Sequence, residues 1–451
     1  TSLGNAADPI DADQKLQEDA LMSYVASVNY SYGDKYYASF SFRRDGSSRL
    51  SPDTRWGNFW SLSASWRLSQ EKFMQSLKSV LSDLKLRASY GVNGNLPSSY
   101  YGYQSTYTTG AFYNGKPSPW ESTLGNEELT WEKNYALNLG LDIGLFSRVN
   151  VSLDWYTRTT KDLLMSKQLN SISGFSSLLT NVGQMRNTGV ELEVRSNNIK
   201  TKDFSWTTAF NLSHNKNKIL KLADLPWFVD GRYVRKEGYP FNTIYLREYA
   251  GVDPETGSAL YYDNQQDENG NYTKNKVTDP GQASPIPLKD ITPTISGGFM
   301  NTFNYKFIDL SFNLSYSFGG YSYDNASYIL QDDGYSVISN KSTEQRRRWQ
   351  KPGDITDVPR FVYGNKKGGN YNSSRAIHST DHIRLKSLIL GLNAPKAWLQ
   401  KLGIGNARIY FSGTNLLTWA AYGQYDPEMS GVVGFYTPPL KTYAFGLELK
   451  F

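Results

Sequence analysis

Residues 307–318 read Phe-Ile-Asp-Leu-Ser-Phe-Asn-Leu-Ser-Tyr-Ser-Phe, and from Ile308 onward apolar and polar side chains alternate without a break. In an extended chain Ile308, Leu310, Phe312, Leu314, Tyr316 and Phe318 share one face, while Asp309, Ser311, Asn313, Ser315 and Ser317 share the other. The alternation holds over a length that suits a tilted membrane-crossing strand of about 9–11 residues. The pattern recurs in Trp60-Leu62-Ala64-Trp66-Leu68, Tyr135-Leu137-Leu139-Leu141-Ile143-Leu145, Val149-Val151-Leu153-Trp155, Val190-Leu192-Val194 and Phe204-Trp206-Phe210-Leu212. The expected fold class is all-β. A soluble sandwich also alternates, so the strands alone leave that reading open.

Composition narrows the choice. The 33 Tyr, 11 Trp and 21 Phe suit aromatic girdles and sugar-facing loops alike. A mean hydropathy of -0.54 is compatible with a barrel, which shows lipid only every second residue. No apolar run approaches the roughly 18 residues a spanning helix needs. The absence of cysteine removes disulfides, thiolate catalysis and thiolate metal sites together. The net charge of +6 is spread along the chain without a basic tract, which argues against a nucleic-acid partner. The opening residues, TSLGNAADPIDADQKLQED, lack the charged start and apolar core of a signal peptide.

Connections alternate between short and long, the pattern of tight periplasmic turns and extended outer loops. Short ones are read at Gly33-Asp34, at a helical connector over 70–79, at Ser147, at Asn197-Asn198, at Lys306 and over 394–403. Long ones are read through Asp45-Gly46 and Pro52 and over 92–131, 158–185, 215–240, 319–375 and 415–439. An additional pair near 241–250 and 258–262 reads as two more strands or as a hairpin inside an outer loop. If short turns are periplasmic, the first and last strands both run inward and the count is odd, about thirteen or fifteen. Closed bacterial single-chain barrels have even counts, and an open edge in lipid leaves costly unpaired backbone groups. The expectation is therefore the C-terminal part of a larger antiparallel transmembrane barrel: residues 1–20 as the remnant of an outer loop, and residues 21–451 as strands and loops of one barrel domain.

Several stretches in order resemble the SusC/RagA family of TonB-dependent outer-membrane transporters of Bacteroidetes. They are Tyr90-Gly91-Val92-Asn93-Gly94-Asn95, Asn187-Thr188-Gly189-Val190-Glu191-Leu192, Gly251-Val252-Asp253-Pro254-Glu255-Thr256-Gly257, and Arg348-Trp349-Gln350-Lys351-Pro352-Gly353-Asp354 with Asp357-Val358-Pro359-Arg360. Asp381-His382-Ile383-Arg384-Leu385-Lys386, Asn415-Leu416-Leu417 and Asp426-Pro427-Glu428 follow. Ser387 and Leu392 depart from the family's usual Asn and Tyr. The final alternation Tyr443, Phe445, Leu447, Leu449, Phe451 resembles the assembly signal of outer-membrane barrels. The resemblance implies a barrel of about 22 strands around a plug, with the plug and remaining strands outside this chain. It further implies energised import of oligosaccharides or peptides, a SusD-like surface lipoprotein as lid, and TonB acting through the N-terminal part. Outer-membrane lipid and lipopolysaccharide would surround the strands. A passive porin and a soluble carbohydrate-binding β-protein are the rival readings.

The chain carries little catalytic chemistry. No Gly-x-Ser-x-Gly elbow occurs, and no enzyme activity is expected. His378 and His382 are four apart, a helical chelate spacing, but they fall where the sequence reads as strand, so no metal site is assigned. The oxygen-rich run 263–271 could hold calcium, but it lacks the spacing and closing Glu of a known calcium loop. Ligand contacts are expected from loop aromatics, whose rings bury area at small entropic cost: Trp120, Trp227, Phe228, Trp419, Tyr422, Tyr425, Phe435 and Tyr436. Arg346, Arg347 and Arg348 are candidates for contact with a plug or an acidic partner.

Overall fold

In the computed structural model, which describes residues 16–223, 225–365, 372–399 and 403–451, thirteen long strands form one sheet in sequence order. They are β1 (Leu21–Tyr32), β2 (Tyr36–Ser47), β3 (Trp56–Arg67), β4 (Leu81–Asn95), β5 (Glu132–Leu145), β6 (Val149–Lys161) and β7 (Gln184–Lys200). They continue as β8 (Phe204–Lys221), β9 (Ile295–Tyr305), β10 (Ile308–Phe318), β11 (His382–Asn393), β12 (Asn406–Ala420) and β13 (Thr442–Lys450). The count is odd, as the parity of the connections required. Of the loop expected over 1–20, residues 1–15 lie outside the described residues and 16–20 form no strand.

Contacts divide the chain into two compact units. The first comprises Thr1–Ala64, Ala88–Leu137 and Arg158–Met185, and its described part is built on Leu50, Phe59, Leu129 and Trp131, all buried. Phe59 meets Trp131 edge-on at 5.2 Å, and the Trp131 indole N–H donates to the Arg55 carbonyl at 2.8 Å. The hairpin of strands Thr106–Tyr113 and Lys116–Thr123 also belongs to this unit.

The second unit comprises Ser65–Arg87, Asn138–Thr157 and Arg186–Phe451, and it holds β8 to β13 complete. Adjacent members of this run pair antiparallel. Their register stacks apolar rows across the sheet: Ile308, Leu392 and Ile409 stand in line, as do Leu310, Leu390 and Phe411. These rows are open to the surroundings rather than covered, and Phe445 on β13 is 82% exposed. A water-soluble sheet buries such a row. On the opposite face, Asp309 of β10 reaches past Gly391 of β11 to Arg408 of β12, with the pair at 2.7 Å. A Cβ on Gly391 would lie 2.5 Å from the Asp309 carboxylate, so glycine is what lets the pair close across an intervening strand. Asn393 donates to the same carboxylate at 2.7 Å. Elsewhere in this unit Arg87 forks to Asp142 and Asp154, each at 2.9 Å. Apolar side chains outward and satisfied charges on the other face are what a sheet between lipid and a polar interior requires.

Two placements, the turn near Asn198 and Trp419, differ from the sequence reading, and a third, the pair near 241–250 and 258–262, takes the outer-loop alternative of the two left open. The turn expected at Asn197-Asn198 lies at 201–203, because Asn198 is still paired: its amide donates to Thr208 of β8 at 2.7 Å, while the Thr201 backbone N–H closes on the Phe204 carbonyl. The pair near 241–250 and 258–262 adds no strand to the long sheet. Thr243–Leu246 joins a four-stranded loop sheet, and Tyr249–Val252 pairs with Ala259–Tyr262 in a three-stranded one. Trp419, expected in a loop, is on β12 opposite Ile383, in the apolar row with Tyr316. A bulge explains the last shift. Asn415 takes a left-handed φ of 52°, and β12 then resumes as far as Ala420.

Candidate functional site

The loops of the second unit enclose an open cavity of about 660 Å³ lined by Asp324, Ser327, Arg384, Tyr425, Asp426, Phe435 and Tyr436 among others. Its frame is local. Strand Tyr321–Asp324 pairs antiparallel with Ile377–Ser379 and parallel with Gly431–Val433, which draws three distant segments into one small sheet. Asp324 then caps the helix Asn325–Leu330: its carboxylate accepts from the Ser327 backbone N–H at 2.8 Å and from the Ser327 hydroxyl at 2.5 Å. Tyr422 donates to the same carboxylate at 3.0 Å, and the hydroxyls of Ser322 and Tyr425 share a hydrogen bond.

The His378 ring stacks on Tyr422 with centroids 3.7 Å apart and planes 2° from parallel. Burial lowers the His378 pKa against the opposing pull of Asp324, so the imidazole is held toward its neutral form. Burial likewise pushes the Tyr422 and Tyr425 phenols above their usual range. Tyr425 therefore offers the cavity wall a neutral hydroxyl and a ring, with Tyr422 and His378 behind it.

The charged residues of the lining are two carboxylates, Asp324 and Asp426, and two cations, Arg384 and Lys441. Arg384 is 2% exposed and forks to Asp426 at 2.7 Å and to Glu428 at 3.0 Å. Lys386 reaches Glu428 at 2.6 Å. A charge this deeply buried is tolerable only when paired in this way.

Of the aromatic candidates, the fold brings together Tyr425, Phe435 and Tyr436 on the cavity wall, with Tyr422 joined to that wall through Asp324 and Ser327. Trp227 and Phe228 lie on strand Trp227–Asp230 of another loop sheet, where Trp227 stands 6.0 Å from the Tyr245 ring. Trp120 is exposed on a hairpin of the first unit. Arg346, Arg347 and Arg348 surround the end of a short 3-10 helix, Thr343–Arg347, and are not among the cavity lining. Arg347 pairs with Glu344 at 2.7 Å and with Asp357 at 3.4 Å. Sequence reasoning passed over Asp324, Ser327 and Arg384. Arg384 and Asp426 were nonetheless inside two of the quoted motifs, and their pairing is what unites those motifs.

His378 and His382 do not converge. The first stacks on Tyr422, while Nδ1 of the second lies 2.8 Å from the Thr380 carbonyl and Nε2 3.8 Å from Glu428. Among the described residues no group of three His, Asp or Glu is arranged to hold a metal. In the oxygen-rich loop, Asp267 accepts from the backbone N–H groups of Asn269 and Asn271, and Asp263 accepts from Thr273 and Asn275. These carboxylates close their own turns.

Comparison with known proteins gives a consistent answer. The family model described as TonB dependent receptor-like, beta-barrel, matches residues 2–284. TonB-dependent receptor P3 of Formosa agariphila is 33% identical over 471 residues, covering 97% of this chain and 46% of that protein. TonB-dependent receptor SusC of Bacteroides thetaiotaomicron is 30% identical, covering 97% of this chain and 45% of that one. Among solved structures, that of the RagAB peptide transporter superposes with a TM-score of 0.89 at 30% identity, over 100% of this chain and 50% of that chain. The chain thus spans about half the length of the curated relatives it matches.

Proposed function

We propose, since the chain belongs to the TonB dependent receptor-like β-barrel family of the outer membrane, that it supplies thirteen strands and the outer loops of an energised importer. The solute is an oligosaccharide or a peptide, a surface lipoprotein closes the outer mouth, and TonB acts through the part of the transporter that carries the plug. The observation that carries this reading is the match over the whole chain to a transporter structure at a TM-score of 0.89. The exposed apolar rows and the paired charges on the opposite face support a lipid-embedded wall around a polar interior.

The cavity near Tyr425 is the place in this chain best suited to touch solute. Its rings offer flat apolar area, and Ser327 and Asn415 on its lining offer hydrogen-bonding groups. The reading is tested by native mass spectrometry of the full-length protein extracted in mild detergent. Co-purification of a surface lipoprotein supports it. A species without any lipoprotein, from cells actively taking up solute, counts against the lid.

A further inference from the structure

Arg384 does more than neutralise a wall. It stands on β11 between Ser315 of β10 and Thr418 of β12, and its guanidinium reaches off the sheet to both carboxylates of one turn, Asp426-Pro427-Glu428. The turn is tight: the Met429 backbone N–H closes on the Asp426 carbonyl, and the Glu428 N–H on the Asp426 side chain at 2.9 Å. The Arg384 Nε–H is buried without an acceptor among the described residues. A buried ion pair seldom adds stability over well-packed apolar side chains, and an orphaned donor subtracts from it. What a planar fork adds is direction, because it fixes two carboxylates at once.

The segment so fixed is a wall of the cavity. Residues 421–434 are anchored on the far side by Tyr422 to Asp324, Tyr425 to Ser322, and the parallel pairing of 431–433 with 322–324. On the sheet side Asp426 is tied to Arg384 and Glu428 to Arg384 and Lys386, with His382 Nε2 farther off at 3.8 Å from Glu428 and the Ala421 N–H bonded to the Asp381 carbonyl at 2.9 Å. Tyr425, Asp426, Pro427 and Met429 line the cavity between these two sets of anchors. We propose that Arg384 is a positioning residue for solute recognition: it seats the 421–434 segment against the sheet so that Tyr425 faces the cavity. The proposal rests on the import reading, and it concerns the half-saturating concentration rather than the maximal rate.

The experiment uses the full-length transporter in its own outer membrane, as wild type, Arg384→Met, Arg384→Lys and Asp426→Asn. Amide exchange of the purified protein reports the seating. The expected result is roughly ten-fold or greater acceleration within 421–430 for Arg384→Met, with 308–318 unchanged and partial recovery in Arg384→Lys. Cell import of maltoheptaose and of a labelled casein digest reports recognition. Arg384→Met should raise the half-saturating concentration of the imported probe about ten-fold at unchanged maximal rate and unchanged membrane level. Unaltered exchange in 421–430 overturns the proposal, and so does a loosened segment with an unaltered half-saturating concentration. Loss of maximal rate with intact half-saturation assigns Arg384 a structural role and also overturns it. Import of neither probe by wild-type cells counts against the import reading, and the exchange result then decides the seating by itself.

Discussion

The indole of Trp349 lies against Gly257: a Cβ on that glycine, whose φ is +69°, would meet the Trp349 ring at 2.4 Å. The two residues come from stretches far apart in the chain, the turn 251–257 and the loop 348–354. The contact is reinforced on both sides, since the Trp349 indole N–H and the Gly353 N–H both donate to the Pro254 carbonyl, at 2.8 and 2.9 Å. The Arg360 N–H closes on the Gly257 carbonyl at 2.9 Å. Thus one outer-loop segment is fastened onto the hairpin turn of another.

Gly257→Ala should therefore unfasten this clasp. Strain at positive φ and the clash with the ring together cost on the order of 1–3 kcal/mol. Limited proteolysis of intact cells should then cut within 348–360 sooner than in wild type. Equal cleavage rates would show that the clasp does not restrain the loop.

The pair of Asp309 and Arg408 is about one-fifth exposed on each side. Arg408→Met leaves the carboxylate with Asn393 and without its cation, at a cost of about 1–3 kcal/mol. The temperature at which the folded form is lost in a semi-native gel should fall. Adding Asp309→Asn should recover part of the loss, because the charge left stranded is removed.

His378 gives the loop sheet a pH dependence. Its pKa in the folded state is below the ordinary value of 6.5, with burial as the cause, so above that value both folded and unfolded forms are neutral. As pH falls below about 6.5 the unfolded form binds the proton first, and the seating of 377–379 on Tyr422 weakens until the folded pKa is passed. The protection of the amides in 377–379 relative to their intrinsic exchange rates should fall from pH 7.5 to pH 5.5, and His378→Phe should flatten that fall. Asp324 opposes the effect by favouring the protonated ring, so Asp324→Asn should steepen it.

Tyr425 and Trp419 were equivalent in the sequence, and the fold separates them. Tyr425 lines the cavity, whereas Trp419 is 56% exposed in the apolar row with Ile383. Tyr425→Ala should raise the half-saturating concentration for import several-fold, about 1 kcal/mol of lost contact. Trp419→Ala should leave it unchanged. The reverse outcome would move the solute contact away from the cavity.

These particulars show how far the residues could be read. The strands were legible because a period of two is written directly in side chains such as Leu310, Phe312 and Leu314, and the odd count followed from turn lengths. The register was less so. A left-handed Asn415 carries β12 to Ala420, and a side-chain bond at Asn198 postpones a turn, and neither leaves a composition signal. The cavity was half legible. Loop aromatics pointed to Tyr425, Phe435 and Tyr436, but the polar frame of Asp324, Ser327 and Arg384 arises from pairing between segments about forty to a hundred residues apart, which is a property of topology rather than spacing.

Energised import predicts that uptake stops when the proton-motive force is collapsed. Cells carrying the full-length protein, and cells deleted for it, are given labelled maltoheptaose and a labelled casein digest with and without a protonophore. Import of either probe that requires the gene and ceases when the proton-motive force is collapsed is the predicted result. Gene-dependent uptake that continues undiminished in the protonophore would contradict the account and mark the protein as a passive pore.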